Sequence, residues 1–150
     1  MKRFLLAAIC CLFATVTFAQ DYKHAAGLRV GNGAELQYEY HMNTRNFVKA
    51  NLGLYGFGHN FFGSCTYNWN CCEWDWTPKA GTWFLTAGVG GSVGAYADQF
   101  NVGIAGDASF GIDFRKAPIG LALDYRPTFF LLENWGSGFA NICLSCVVRF

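Results

Sequence analysis

The stretch NVGIAGDASFGIDFR, from Asn101 to Arg115, alternates between two chemistries without interruption. Val102, Ile104, Gly106, Ala108, Phe110, Ile112 and Phe114 form an apolar set. Asn101, Gly103, Ala105, Asp107, Ser109, Gly111, Asp113 and Arg115 form a set of small or charged residues. A strand sends successive side chains to opposite faces, so this stretch reads as one long strand between two different solvents. Alternation alone does not say which face is inside, because soluble and membrane barrels share it.

The same signal recurs along the chain. Eight strands are predicted, at about 24–31, 34–42, 47–57, 65–76, 82–96, 101–115, 119–132 and 139–150. Short connections rich in Gly, Asn and Pro separate them, including Asn32-Gly33, a strong hairpin signal. In the seventh strand Leu121, Leu123, Tyr125 and Phe129 oppose Ala122, Asp124, Arg126 and Thr128. In the fourth, the apolar phase slips from Tyr67, Trp69 and Cys71 to Cys72, Trp74 and Trp76, which predicts a β-bulge at Cys71–Cys72. Pro127 removes a ladder donor inside the seventh strand, so a bulge or local break is expected there.

Composition then separates the solvents. Charged residues make up 14% of the chain and aromatic residues 18%, with 18 glycines, whereas soluble domains carry about 25% charge. After the N-terminus, no apolar run approaches the roughly 18 residues of a membrane helix. A soluble carrier with its apolar face inward would need many Lys, Glu and Thr outside. Here the polar face is instead crowded with Gly, Ala and Ser, the residues that suit the narrow interior of an eight-stranded barrel. The apolar face therefore points outward. In hydrocarbon, closure of the barrel satisfies every backbone group.

This orientation puts Arg29, Lys49, Arg115, Arg126 and Arg149 inside, with Glu35, Glu39, Asp107, Asp113 and Asp124. Isolated ions there would cost several kcal/mol each, so a mutually paired internal charge network is expected, a plug rather than a channel. Trp74, Trp76 and Trp83 flank the turn TPKAG and read as an interfacial aromatic girdle. The expected architecture is an all-β, single, closed, antiparallel, eight-stranded up-and-down transmembrane barrel.

Residues 1–19 read as a secretory signal peptide: Lys2 and Arg3, an apolar run, then small residues near Ala19. Ile9 before Cys10 fits a lipidation signal poorly. Residues 20–150 form the barrel domain, with nine basic and ten acidic residues and no basic patch for nucleic acid. Five cysteines follow the signal peptide: Cys65, Cys71, Cys72, Cys143 and Cys146. Their odd number leaves at least one unpaired within the chain. The CxxC of Cys143 and Cys146 falls on opposite faces of a strand, which argues against a redox or zinc site. They read as small apolar fillers.

On CTYNW (65–69), AGVGGSVG (87–94), GIDFRKAPIGLALDYRP (111–127) and the terminal VVRF (147–150), the chain resembles the small outer-membrane β-barrel family of the OmpA and OmpX type. The resemblance covers most of the region after the signal peptide. It implies a place in the Gram-negative cell envelope, outer-membrane lipids as surroundings, and both termini in the periplasm. It also implies that the barrel assembly machinery reads the C-terminal strand, with Phe150 as the signal. Loops at 32–33, 58–64, 97–100 and 133–138 would face outside. The expected function is a structural or surface-interaction role, with no enzymatic activity, cofactor or metal. The alternatives are a lipid-active enzyme on the same barrel or a narrow pore. The enzyme reading would need a nucleophile and base near the outer rim, for which His59, Ser64 and Glu133 are the candidates, with nothing in their spacing to bring them together.

Overall fold

A computed structural model describes residues 22–55, 60–96, 99–131 and 138–150. Eight strands follow one another: β1 (His24–Val30), β2 (Gly33–His41), β3 (Asn46–Tyr55), β4 (Asn60–Thr77), β5 (Gly81–Tyr96), β6 (Gln99–Phe114), β7 (Ile119–Phe130) and β8 (Gly138–Arg149). Each pairs antiparallel with its neighbours in sequence, and β1 pairs with β8, so the sheet closes on itself as an all-β, eight-stranded up-and-down barrel. Closure leaves no strand edge with unpaired backbone groups.

The strands are staggered. From Arg149 the pairing runs to Ala25, Glu39, Lys49, Thr66, Gly90, Ala105 and Thr128, and it returns to β8 at Phe139. The circuit ends ten residues from its start, the shear that closing a tilted sheet requires. The ends of the described barrel, at Tyr22 and Phe150, and the turns at 42–45, 78–80 and 115–118 lie at one end, called here the terminal end. The opposite ends of the strands form the loop end.

Local chemistry sets the turns. Asn43 Oδ1 accepts hydrogen bonds from the backbone N–H groups of Arg45 (2.9 Å) and Asn46 (2.8 Å), an Asx turn that starts β3. The first hairpin centres on Asn32: Val30 pairs with Ala34 and Gly31 N–H donates to the Gly33 carbonyl at 3.0 Å, so three residues separate the paired ends where the Asn32-Gly33 signal predicts two. The fourth strand begins at Asn60 rather than near 65.

The register between β4 and β5 shifts between Asn70 and Cys72, which makes Cys71 the extra residue of the expected bulge. A second shift falls between Trp74 and Thr77, where the alternation carries no visible slip. At Pro127 the β6–β7 ladder loses two pairs, resuming at Ala105–Thr128 and Ala108–Tyr125 in the same register. Pro127 still faces Ala140 across the β7–β8 ladder. The outcome is a break with no bulge, since the missing donor interrupts one ladder only.

The two faces separate as the alternation requires. Arg29, Lys49, Asp124 and Arg126 are fully buried or nearly so, while Leu36 is 65% and Ile142 61% exposed on the outside. Adjacent glycines in β5 show why small residues sit inside. A Cβ on inward Gly90 would lie 2.0 Å from the carbonyl oxygen of Cys65, whereas outward Gly91 has no neighbour closer than 3.9 Å. All five described cysteines are free. Cys143 faces in and Cys146 faces out, so the CxxC cannot act as one site.

Candidate functional site

The lumen is where the inward charges meet. Six of them form a single chain of alternating sign. Arg126 Nη2 donates to Glu35 Oε1 at 2.6 Å, and Arg29 Nη1 donates to both oxygens of Glu35 at 3.2 Å. Arg29 Nε then reaches Asp124 Oδ2 at 3.3 Å. Lys49 Nζ lies 3.5 Å from Asp124 Oδ1 and donates to Asp107 Oδ1 at 2.8 Å. The order is Arg126, Glu35, Arg29, Asp124, Lys49, Asp107, with three charges of each sign and no net charge.

Neutral neighbours complete the chain. Ser109 Oγ accepts from Lys49 and donates to Asp107, and Ser64 Oγ accepts from Arg126 Nη1 at 2.8 Å. The Arg126 guanidinium also lies 4.8 Å from the ring centroid of Phe62, close enough for a cation–π contact. Five strands, β1, β2, β3, β6 and β7, contribute the ions, so the chain ties together distant parts of the barrel wall. Charges desolvated this way are tolerable because each has an opposite partner, and Lys49, Asp107 and Arg126 gain a serine hydroxyl besides.

The other inward ions stand apart from this chain. Glu39 accepts from Gln37 Nε2 at 2.7 Å and meets His41 Nε2 at 3.2 Å. Arg149 pairs with Asp113 at 2.9 Å, part-exposed at the terminal end. Arg115 corrects the sequence reading. It has the inward phase, but β6 ends at Phe114, and Arg115 instead pairs at 2.8 Å with Asp75, half exposed. The stagger carries the β4–β5 hairpin past the rim there, so inward phase no longer means interior position. Ser64 corrects it too: it lies within β4, buried and hydrogen-bonded to Arg126, and not in an outer loop. His59 and Glu133 lie outside the described residues.

Sequence reasoning missed Phe47 and Phe62, which are 6% and 4% exposed and point inward. The inward phase of Phe47 was readable, but its bulk ran against the expectation of a small-residue interior. Phe62 falls in the expected loop at 58–64, and only the early start of β4 at Asn60 gives it a phase. Asp75 was missed because the second β4 shift hides its phase.

The outer face carries its own clusters. Trp74 stacks on Trp76 at 5.3 Å, Trp76 meets Trp83 at 5.9 Å, and Trp83 stacks on Phe110 at 5.4 Å. Trp83 Nε1 donates to Thr77 Oγ1 at 2.9 Å. Around the same end, His24 stacks on Phe150 at 5.9 Å, meets Tyr40 at 5.3 Å and hydrogen-bonds the Tyr38 hydroxyl at 2.7 Å. Phe150 joins the closing pair through backbone bonds in both directions with His24. Among the described residues, no group of three or more His, Cys, Asp or Glu is arranged to hold a metal ion.

Two solved structures are similar to this chain. One is the outer membrane protein Ail of Yersinia pestis in a phospholipid bilayer nanodisc, with a TM-score of 0.47, 14% identity, and coverage of 85% of this chain and 97% of Ail. The other is the crystal structure of Ail, the attachment invasion locus protein of Yersinia pestis, with a TM-score of 0.44, 14% identity, and coverage of 85% and 93%. No family model and no curated protein matches the sequence.

Proposed function

We propose that this chain is an integral outer-membrane β-barrel with a lumen plugged by paired ions, and that its role is structural or at the cell surface rather than enzymatic. One observation carries the reading: the barrel is inverted relative to a soluble protein. Arg29, Asp124 and Arg126 are 0% exposed inside, while the large exposed side chains around the wall are Leu, Val, Ile and aromatic residues. A water-soluble barrel would lose stability on both faces from that arrangement. In a bilayer the outer face meets hydrocarbon, and the backbone is satisfied by closure.

The aromatic clusters at the terminal end suit a membrane interface, where amphipathic rings are enriched. Phe61, Phe100 and Phe129 lie exposed toward the loop end as a counterpart. Both termini would be periplasmic, and Phe150 would present the terminal aromatic to the assembly machinery. The alternating ion chain leaves no unbalanced charge to attract a permeant ion into the centre.

Purified outer-membrane fractions run with and without boiling test the placement. The folded barrel is expected to run faster unboiled. Recovery in a detergent-free periplasmic extract would overturn the reading. Planar-bilayer recording tests the plug, with no steady openings above noise expected from the unmodified chain and sustained conductance counting against it. Deletion of Phe150 is expected to lower the membrane-inserted fraction.

A further inference from the structure

Below Lys49 the lumen widens into a bowl of about 370 Å³ that opens at the terminal end. That volume falls within the roughly 300–1,000 Å³ of small-molecule sites. The bowl is polar at depth and part apolar on its walls, where Phe47 and Phe84 line it.

The hydrogen-bond inventory of the bowl is lopsided. Its deepest cation, Lys49, is spent, while at the rim Arg149 Nε has no partner among the described residues and the exposed Lys23 also lines the opening. Lys49 donates to Asp107 and Ser109 and faces Asp124, and Arg149 is held by Asp113. Its acceptors are in surplus. Gln37 commits its Nε2 to Glu39, so its Oε1 is the free end of the amide, and that atom has no partner although Gln37 is only 3% exposed. Thr86 Oγ1 also has no partner, at 4% exposure. Among the described residues the Glu39 carboxylate bonds Gln37 and His41, short of the roughly four hydrogen bonds a carboxylate can accept. Aimed into an open bowl, these oxygens can be met by water or by a donor-bearing cation that enters it.

We propose that the bowl binds a small primary alkyl-ammonium group, with Glu39 as its counter-charge, Gln37 Oε1 and Thr86 Oγ1 among its acceptors, and the aromatic walls covering the alkyl chain. The ammonium could belong to a free amine or to a lysine side chain of a peptide; the chemistry is the same. The bowl is a property of the lumen whatever solvent surrounds the outer face, so the failure of this inference and the failure of the membrane reading are separate results.

The test is calorimetric titration of the barrel refolded in detergent micelles, with 1,4-diaminobutane, with Nα-acetyl-lysine amide, and with 1,4-butanediol as the uncharged control. Saturable binding of an amine and none of the diol is expected. Saturation by the diamine alone assigns a free amine, and saturation by the lysine amide assigns a peptide side chain. Glu39→Gln is expected to weaken binding by about tenfold or more and Thr86→Val to weaken it measurably. Ser92→Ala, on the loop side of the ion chain, is expected to leave it unchanged. Should Glu39→Gln fail to refold, the Thr86→Val titration decides. No saturation by either amine on the folded barrel, equal binding of the diol, or unchanged affinity in the bowl variants would overturn the proposal.

Discussion

The two halves of the lumen are built from the same strands by the same alternation, yet they bury charge in opposite ways. On the loop side of Lys49, Arg126, Arg29 and Glu35 are shared between partners and packed against Phe62 and Ser64. On the terminal side, Glu39, Asp113 and Arg149 line an open bowl, and their bonds are local: Glu39 to residues on its own strand, Arg149 to a single rim partner. Alternation decides which residues point inward. The stagger of the strands decides which inward residues meet, and so which ions are load-sharing and which are solvated. A charge in the first half has no water to fall back on when its partner is lost, and a charge in the second half does.

The largest expected consequence concerns Glu35. It holds both Arg29 and Arg126, so Glu35→Ala leaves the buried Arg126 guanidinium with no carboxylate and Arg29 with Asp124 alone. A loss of about 3–5 kcal/mol is expected, read by urea unfolding of the barrel in lipid vesicles. Glu39→Ala, two inward positions along the same strand, removes a carboxylate that borders the bowl and is expected to cost clearly less. Equal losses in the two variants would break the contrast between the halves. Arg126→Ala should also lower the melting temperature in detergent, since it leaves Glu35 with Arg29 alone.

A second variant separates packing from charge. Phe62 is buried and lies against the Arg126 guanidinium. Phe62→Ala removes ring volume from a packed interior and the cation–π contact together, and about 3 kcal/mol of destabilisation is expected. Phe84→Ala, on the wall of the bowl, leaves a space that is already open and is expected to cost less. The same vesicle unfolding experiment measures both, and a Phe84 loss as large as that of Phe62 would mean that the bowl is not open in the folded barrel.

Much of this arrangement was legible in the sequence because a two-residue period assigns faces without any tertiary knowledge. The strand count, the inward phase of Arg29, Glu35 and Asp124, the extra residue at Cys71 and the break at Pro127 all follow from phase and from the missing proline donor. Pairing partners were not legible. Arg29 faces Glu35 directly across the first hairpin, but it reaches Asp124 on β7 only because closure sets β8, and β7 beyond it, beside β1. Arg115 shows the limit from the other side: its phase is inward, but the height at which the rim cuts β6 depends on the stagger accumulated over the other strands. The inward position of Phe62 was not legible, because it falls in the expected loop at 58–64, and its role in covering Arg126 further requires knowing that β4 and β7 approach across the lumen.

Smaller effects mark the boundary between the halves and the solvent. Asp113→Ala breaks the part-exposed pair with Arg149. The guanidinium left behind borders the bowl, so about 1 kcal/mol or less is expected, and the effect should shrink further in high salt, where screening weakens an accessible pair. Chemical unfolding at low and high ionic strength measures it. A loss as large as that of Glu35→Ala would show the rim to be as dry as the ion chain.

The smallest expected effect belongs to Arg115, and it bears most directly on whether phase or position governs the network. If phase were enough, Arg115 would belong with Arg29 and Arg126, and Arg115→Ala would unbalance the interior. In the structure it lies beyond the end of β6, 51% exposed, bonded to Asp75, which is itself 60% exposed. Exposed pairs of this kind contribute about 0–1 kcal/mol, discounted further by solvent screening. Asp75 also keeps a hydrogen bond from Thr82 Oγ1 at 3.1 Å when the arginine is gone, so its carboxylate is not left without a donor. Arg115→Ala is therefore expected to leave the melting temperature in detergent unchanged within error. A drop comparable to that of Arg126→Ala would place Arg115 inside the load-bearing chain and return the network to what alternation alone describes.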